Sequence, residues 1–387
     1  GAGDVIRNTA EEKSSDTARA KLSLPDRKTL WRLFLGISFG TAVASFVYEI
    51  AWIRMLSLVL GTATHSFELM LSAFILGLAL GAFWMRSRAD GISDPLKTLG
   101  WIQWIMGAAA LATLPLYVAS FGWTADLLSA VNRTPSGYTL FNTARYGVAL
   151  MVMLPATFCA GTTLPLITRT LLSAGEGERA IGWVYGINTL GSIIAVGTAS
   201  LVLLPLIGLK PLLVLGGGMD MALGVLLLTV AGMRKRSPEK EEPGAERTEA
   251  PTGVEALLGS GGRGLGLASA LGASAMVLIT LFGIRMDQAV LSSGVYRTGR
   301  LASPNTEILF FKDGRTATVT ADRKPPGVLA LSTNGKPVAT LTELWLQPPG
   351  GEPIPLSLDE PTQTLTSLIA LAHNPGARTG VVVGQGS

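Results

Sequence analysis

Seven long apolar stretches dominate the chain and constrain its fold more than any other feature. We place them at residues 31–60, 66–86, 97–121, 141–172, 181–207, 211–233 and 264–284. Each approaches or exceeds the roughly 20 residues that a helix needs to cross hydrocarbon. Backbone groups without partners are too costly inside lipid, so such stretches cross it as helices. The sequence therefore predicts a polytopic α-helical membrane protein with about seven spans.

The composition agrees with this class and excludes several others. Hydrophobic residues make up 48% of the 387 residues and charged residues only 15%, whereas soluble domains carry about 25% charged residues. The net charge of +4 is small for a nucleic-acid binder. One cysteine, Cys159, and two histidines argue against a disulfide framework or a metal site. We expect membrane lipids and other membrane subunits as partners, and no nucleic acid.

The distribution of Lys and Arg predicts an orientation. The N-terminal tail, the segment after the second stretch and the segment after the sixth are rich in both residues. Loops rich in Lys and Arg stay in the cytoplasm. The tail and every second loop after it are therefore expected there, and seven spans place the C-terminal region on the opposite side.

Composition also divides the chain into segments. We predict a cytoplasmic tail (1–30), a six-helix membrane region (31–234), a disordered cytoplasmic loop (235–262), a seventh membrane helix (263–285) and a small antiparallel β domain (286–360). The last segment (361–387) is predicted to be a helix, at about 361–373, with a following strand. In the β domain, the runs GVYRTGRLA, EILFFKDG, TATVTADR and VLALSTNG combine β-forming residues with turn signals. The sequences Lys312-Asp313-Gly314 and Thr333-Asn334-Gly335 predict tight hairpins.

Six polar or charged residues within the predicted spans are candidate functional groups, because such groups are costly inside a bilayer. They are Glu49, Arg54, Glu68, Arg145, Asn188 and Asp220. One interpretation pairs Glu49 or Asp220 with Arg54 or Arg145 across helices, which would lock the bundle. The other is a path for protons or polyamines, since carboxylates suit cationic ligands.

Glycines four residues apart occur three times, at Gly36 and Gly40, Gly77 and Gly81, and Gly182 and Gly186. Such pairs allow close helix packing. They indicate contacts within the chain or with another subunit.

Near its C-terminus the chain has a predicted strand, 379–383, followed by Gly384-Gln385-Gly386. A strand followed by Gly-x-Gly is how a Rossmann-like fold lets the backbone approach a nucleotide. The sequence therefore predicts the start of such a fold.

Several motifs together resemble the bacterial spermidine synthase-like membrane proteins, in which a multi-helix region precedes an aminopropyltransferase-type domain. The membrane motifs are YEIAWIRMLSLVLG, AFILGLALGAF, GTTLPLITR and YGINTLGSIIAVGTASLVLLPLIG, and the C-terminal ones are EILFFKDGRTATVTA and PTQTLTSLIALAHNPGARTGVVVGQGS. The resemblance covers about residues 31–387. It implies the inner membrane of a bacterium, and an S-adenosylmethionine-type cofactor if the domain is complete.

The resemblance also bears on individual residues. It implies nucleotide contacts at Gly384 and Gly386 and a polar substrate contact at Gln363, where Pro361-Thr362-Gln363-Thr364 replaces the family's Tyr-His-Glu type of motif. The chain ends before the family's catalytic Asp, so no catalytic residue and no metal ligand is predicted.

Three functions remain open. The first is a non-catalytic membrane scaffold or accessory subunit of a larger assembly. The second is the N-terminal part of a membrane-bound aminopropyltransferase whose catalytic core lies beyond residue 387. The third is a transporter of polyamines or other cations, with Glu49 and Asp220 as ligands.

Overall fold

Seven long helices form most of the protein in a computed structural model, which describes residues 27–61, 64–131, 134–233, 263–325, 327–342, 360–374, 376 and 378–379. The helices are α1 (Arg27–Leu60), α2 (Thr64–Arg86), α3 (Pro95–Ala130), α4 (Pro135–Ser173), α5 (Arg179–Thr198), α7 (Leu209–Met233) and α8 (Arg263–Leu278). Helix α5 continues through a π-helical turn, Ala199–Leu203, into the short α6 (Leu204–Ile207), and α8 ends in a second π-helical turn, Ile279–Gly283.

All seven predicted stretches coincide with helices that are long and apolar enough to cross a membrane. They are candidate spans of a multi-pass membrane protein. Most of the predicted tail and all of the predicted loop 235–262 lie outside the described residues.

Local sequence signals begin two of the longest helices. The Asp94 side chain accepts a hydrogen bond from the backbone N–H of Lys97, and Thr134 does the same for Gly137. Each cap precedes a proline in the first helical turn, where proline loses no hydrogen bond. Pro155 and Pro165 lie inside α4, which nevertheless continues to Ser173.

Helix α1 is the centre of the bundle. It packs against α5 and α7 along its length and also contacts α3 and α4, while α2 packs on α4 and α8 packs on α7. Pro155 and Pro165 predict that α4 is interior, because the carbonyls they free must find partners in neighbouring protein. About half of α4 is buried, but a larger share of α1 is buried. The sequence of α1 suits this central position, because its own small and apolar side chains are distributed around all sides of the helix.

The three glycine pairs differ in their surroundings. A Cβ at Gly77 or Gly81 would collide with Thr157 or with the backbone at Phe158, so this pair brings α2 and α4 into close contact. A Cβ at Gly182 or Gly186 would meet no atom within 4 Å. The pair Gly77 and Gly81 therefore packs within the chain, and the pair Gly182 and Gly186 faces outward from the bundle.

A four-stranded antiparallel sheet follows the seventh long helix. Its strands are β1 (Glu307–Asp313), β2 (Thr318–Lys324), β3 (Val328–Thr333) and β4 (Lys336–Thr342), in the order β1-β2-β3-β4. Asn334 and Gly335 both have positive φ at the β3–β4 turn, as the Asn-Gly signal predicts. The sheet and the seven helices agree with the predicted fold class.

The structure corrects one part of the β prediction. The run GVYRTGRLA forms no strand. Two short helices, α9 (Gln288–Leu291) and α10 (Val295–Thr298), precede β1. Gly294 and Gly299 take left-handed conformations at the two ends of α10, and they start and stop a helical turn despite its β-forming residues. After the sheet, the predicted helix at 361–373 is observed as α11 (Glu360–His373), which contacts β4.

Candidate functional site

The contact between Arg54 and the β1–β2 loop joins the membrane helices to the sheet. Arg54 lies near the C-terminal end of α1 and is 9% exposed. Its guanidinium donates to the carbonyl oxygen of Thr316 at 2.7 Å and to that of Gly314 at 3.4 Å. A charged donor makes a stronger hydrogen bond than a neutral one. The β1–β2 loop is therefore held on the end of the bundle.

Asp313 makes a second link at the same place. One carboxylate oxygen accepts a hydrogen bond from the Thr318 hydroxyl at 2.8 Å, which closes the β1–β2 loop. The other accepts from the backbone N–H of Leu209 at 3.1 Å. Leu209 is the first residue of α7, where backbone donors lack helical partners and a carboxylate is favoured. We call Arg54, Asp313 and the groups they bind the junction.

Lys210 extends the junction to α8. Its ammonium donates at 2.6 Å to the carbonyl oxygens of Leu281 and Ile284, where α8 ends. These carbonyls have lost their helical donors, and a cation is favoured at a helix C-terminus. The ends of α1, α7 and α8 thus meet the first hairpin of the sheet.

One face of the sheet is apolar, and its large side chains are exposed in the part of the chain that the structure describes. Phe310, Ala321, Leu331 and Ala339 pair side by side across the four strands and share this face, as do Val319, Leu329 and Leu341 in neighbouring rows. Phe310 is 50% exposed, Leu331 42% and Leu341 41%. We call Phe310, Val319, Leu329, Leu331 and Leu341 the outer face.

Charged residues border the outer face at both ends. Glu307 and Arg323 form an ion pair of 2.9 Å at one end. At the other end, Lys312 pairs with Val319 near the start of β2, and Lys336 pairs with Thr333, the last residue of β3. The opposite face of the sheet buries Thr320, Asp322 and Ser332. An apolar centre with a charged rim is the usual anatomy of a protein–protein interface.

The remaining predicted polar residues are dispersed among the helices. Arg145 donates to the carbonyl oxygen of Leu60 and to the Ser66 hydroxyl, where α1 ends and α2 begins. Asn188 donates to the carbonyl oxygen of Ser38 at 3.2 Å and ties α5 to α1. Glu68 is exposed near the start of α2. These contacts stabilise helix ends and helix pairs.

The expected ion pairs of Glu49 and Asp220 are not found among the described residues. Arg54 and Arg145 donate to carbonyl and side-chain oxygens of loops and helix ends instead. Asp220 is fully buried beside the Tyr48 side chain, and Glu49 Oε2 has no hydrogen-bond partner among the described residues. Both guanidinium groups are therefore occupied by uncharged oxygens and not by the carboxylates of the bundle.

The predicted nucleotide site falls outside the part of the chain that the structure describes. Gly384 and Gly386 lie outside the described residues, as does the strand expected to precede them. Gln363 lies on α11, and its side chain is not described. Among the described residues, no group of three or more His, Cys, Asp or Glu side chains is arranged to hold a metal ion.

Sequence reasoning missed Asp313 and the outer face. The sequence marks Asp313 only as a turn residue. Its carboxylate caps the start of α7, but the 104 positions that separate Asp313 from Leu209 hide this contact in the sequence. The alternation of large apolar residues in β1 and β3 predicts a two-faced sheet, but not which face is covered.

Comparison of the chain with protein-family models, with curated proteins and with solved structures finds no match. The resemblance to the spermidine synthase-like membrane proteins therefore stays a prediction.

Proposed function

We propose that the protein is a non-catalytic membrane scaffold, an accessory subunit that holds a small sheet in a fixed position beside a bilayer for a partner subunit. The observation that carries the proposal is the exposed outer face. Contiguous exposed apolar surface outside a membrane marks a protein interaction site. Here it is bordered by charge and is part of a regular sheet.

The junction supports the same function. Arg54 and Asp313 connect the sheet to two different helices by hydrogen bonds that involve charged groups. Such bonds contribute more than neutral ones and fix geometry as well. A partner bound to the outer face is therefore held in a defined orientation relative to the bundle.

Co-purification from the native membrane tests the proposal. The tagged full chain is extracted in mild detergent, and the mass of the particle is measured by native mass spectrometry. We expect a particle heavier than the 40.5 kDa chain, with the partner lost in Leu331→Lys. A particle of the mass of a single chain in the wild type would contradict the scaffold function.

Leu301→Lys provides the matched control. Leu301 lies in the segment before β1 and is 43% exposed, almost the same as Leu331 at 42%. The control adds the same charge at an equally exposed leucine outside the outer face. Loss of the partner in both variants would indicate a general effect of charge and would count against the outer face as the binding surface.

The orientation expected from Lys and Arg is part of the proposal. The N-terminal tail would face the cytoplasm, and the sheet would lie on the other side of a bacterial inner membrane. Cys159→Ser leaves no cysteine, and Ser15→Cys or Arg315→Cys then adds one on the tail or on the β1–β2 loop. A membrane-impermeant maleimide applied to intact spheroplasts should label the loop and not the tail. The reverse pattern would refute the orientation.

Transport of a cation is a second candidate, which the carboxyl groups of Glu49 and Asp220 favour. Both lie in the bundle, and Asp220 is fully buried beside the Tyr48 side chain, with no cationic side chain bound to it among the described residues. A buried carboxyl group in a membrane region is costly and commonly serves ions or protons.

Uptake into proteoliposomes distinguishes this candidate from the scaffold. If the bundle transports a polyamine, Glu49→Gln and Asp220→Asn should each reduce uptake of labelled putrescine while the folded fraction stays constant. Absence of uptake by the wild type would exclude putrescine transport and would leave the scaffold function untouched.

A further inference from the structure

A crevice at the end of the bundle combines basic side chains with exposed apolar ones. It has two adjoining parts of about 440 and 700 Å³, which share Lys210 and Met286. The first part lies between the α6–α7 turn and β1 and includes Lys312. The second lies beside the end of α8 and includes Arg285.

The crevice lies at the level where three candidate spans end. These spans end or begin at Ile207, Leu209 and Gly283. Two apolar side chains that line the crevice are strongly exposed, Leu206 at 75% and Phe282 at 78%. Side chains so apolar and so exposed on membrane helices face acyl chains, so the basic side chains stand at the depth of the lipid headgroups.

The charges of the crevice leave the basic side chains able to bind an anion. Two carboxylates also line it, against three cationic side chains, so the lining keeps a net positive charge. Asp313 accepts from Leu209 and Thr318, and Asp287 accepts from the backbone N–H of Ala289 at the start of α9. The Lys210 ammonium donates to two carbonyls and has a third N–H left. Lys312 and Arg285 are exposed.

We propose that this crevice binds an anionic phospholipid, with the phosphate held by Lys210, Lys312 and Arg285 and the acyl chains lying on Leu206 and Phe282. Basic clusters at a membrane surface attract anionic headgroups. A crevice that combines basic side chains with exposed apolar ones fits the headgroup and the acyl chains of one lipid molecule. This site is independent of the scaffold function, because it lies beside the membrane and not on the outer face.

The test uses the full chain reconstituted in phosphatidylcholine nanodiscs with or without phosphatidylglycerol. We expect phosphatidylglycerol to raise the thermal unfolding midpoint and to be retained on the protein above its bulk proportion, as measured by mass spectrometry of the extracted lipid. Lys312→Ala and Arg285→Ala should each lower the affinity about fivefold. Lys336→Ala, an exposed lysine at the β3–β4 turn, is the matched control and should leave the affinity unchanged.

Inorganic phosphate added to the phosphatidylcholine nanodiscs distinguishes a lipid from a free anion. Retention of phosphatidylglycerol in its bulk proportion by the wild type would overturn the proposal. So would equal stabilisation by phosphate alone, or an equal effect of Lys336→Ala and Lys312→Ala. A midpoint in pure phosphatidylcholine that is the same in all variants shows that the substitutions leave the fold intact.

Discussion

The guanidinium of Arg54 lies 2.7 Å from the carbonyl oxygen of Thr316, a residue 262 positions further along the chain. This bond connects the central helix of the bundle to the first hairpin of the sheet. It gives the charge near the end of this apolar helix a structural role, the attachment of the sheet. Arg54 binds the β1–β2 loop and does not pair with a carboxylate of the bundle among the described residues.

Removal of the Arg54 side chain should loosen the sheet without unfolding the helices. Arg54→Ala leaves the carbonyls of Gly314 and Thr316 without their donor, and hydrogen bonds to charged groups contribute about 1.5–3 kcal/mol. We expect faster hydrogen exchange in the β1–β2 loop and at the start of α7, measured by mass spectrometry. Arg315→Ala, which removes an exposed arginine from the same loop, should exchange as the wild type does. Identical exchange in both variants would show that Arg54 does not hold the loop.

Asp313→Ala should lower the free energy of unfolding by about 1–3 kcal/mol, since it leaves the Leu209 N–H and the Thr318 hydroxyl without an acceptor. The thermal unfolding midpoint in detergent is the measurement. Glu307→Ala is the control. It removes a carboxylate of the same sheet from an exposed ion pair with Arg323, and such pairs contribute less than about 1 kcal/mol. An effect of Glu307→Ala as large as that of Asp313→Ala would contradict the role of Asp313 at the junction.

Two glycine-to-alanine substitutions should differ sharply. A Cβ at Gly81 would collide with the backbone of Phe158 on α4, and overpacking of this kind costs about 1–3 kcal/mol. A Cβ at Gly182 meets nothing within 4 Å, so Gly182→Ala should change the stability by less than about 1 kcal/mol. Both are measured by thermal unfolding of the purified chain in detergent. Equal effects would contradict the close packing of α2 on α4.

Tyr296 should make stability depend on pH in the alkaline range. Its hydroxyl donates to the Asn334 carbonyl at 3.3 Å, and burial raises its pKa above the ordinary value of 10.0. The folded protein therefore keeps the phenol proton at a pH where the unfolded chain loses it. Stability is unaffected by this group below the ordinary pKa and falls as pH rises above it. Tyr296→Phe should flatten that fall in thermal unfolding midpoints, and an unchanged pH profile would contradict the effect.

Local and periodic signals predicted most of the regular structure. The apolar stretches coincide with α1 to α8, the Asn334-Gly335 turn joins β3 to β4, and the helix predicted at 361–373 is α11. The β prediction for the run at 294–302 is wrong, because it rests on the β propensity of the side chains and neglects the two glycines that enclose α10. In such a short segment the backbone freedom of Gly294 and Gly299 decides the conformation.

The functional surfaces were harder to predict, for a physical reason. The junction depends on contacts between residues far apart in sequence, such as Asp313 and Leu209, which no local pattern encodes. The partners of Arg54 are backbone carbonyls, which every residue carries, so side-chain chemistry could not single them out. Whether Phe310 and Leu331 are covered depends on the whole tertiary arrangement.

The 34 residues of α1 extend about 51 Å at 1.5 Å per residue. This helix has Arg54 near one end and residues 27–30 at the other, so one stiff rod reaches from the tail side of the bundle to the hairpin. Neighbouring helices surround the rod and resist bending. Because Arg54 binds Gly314 and Thr316, the axial position of this one helix fixes where the first hairpin stands.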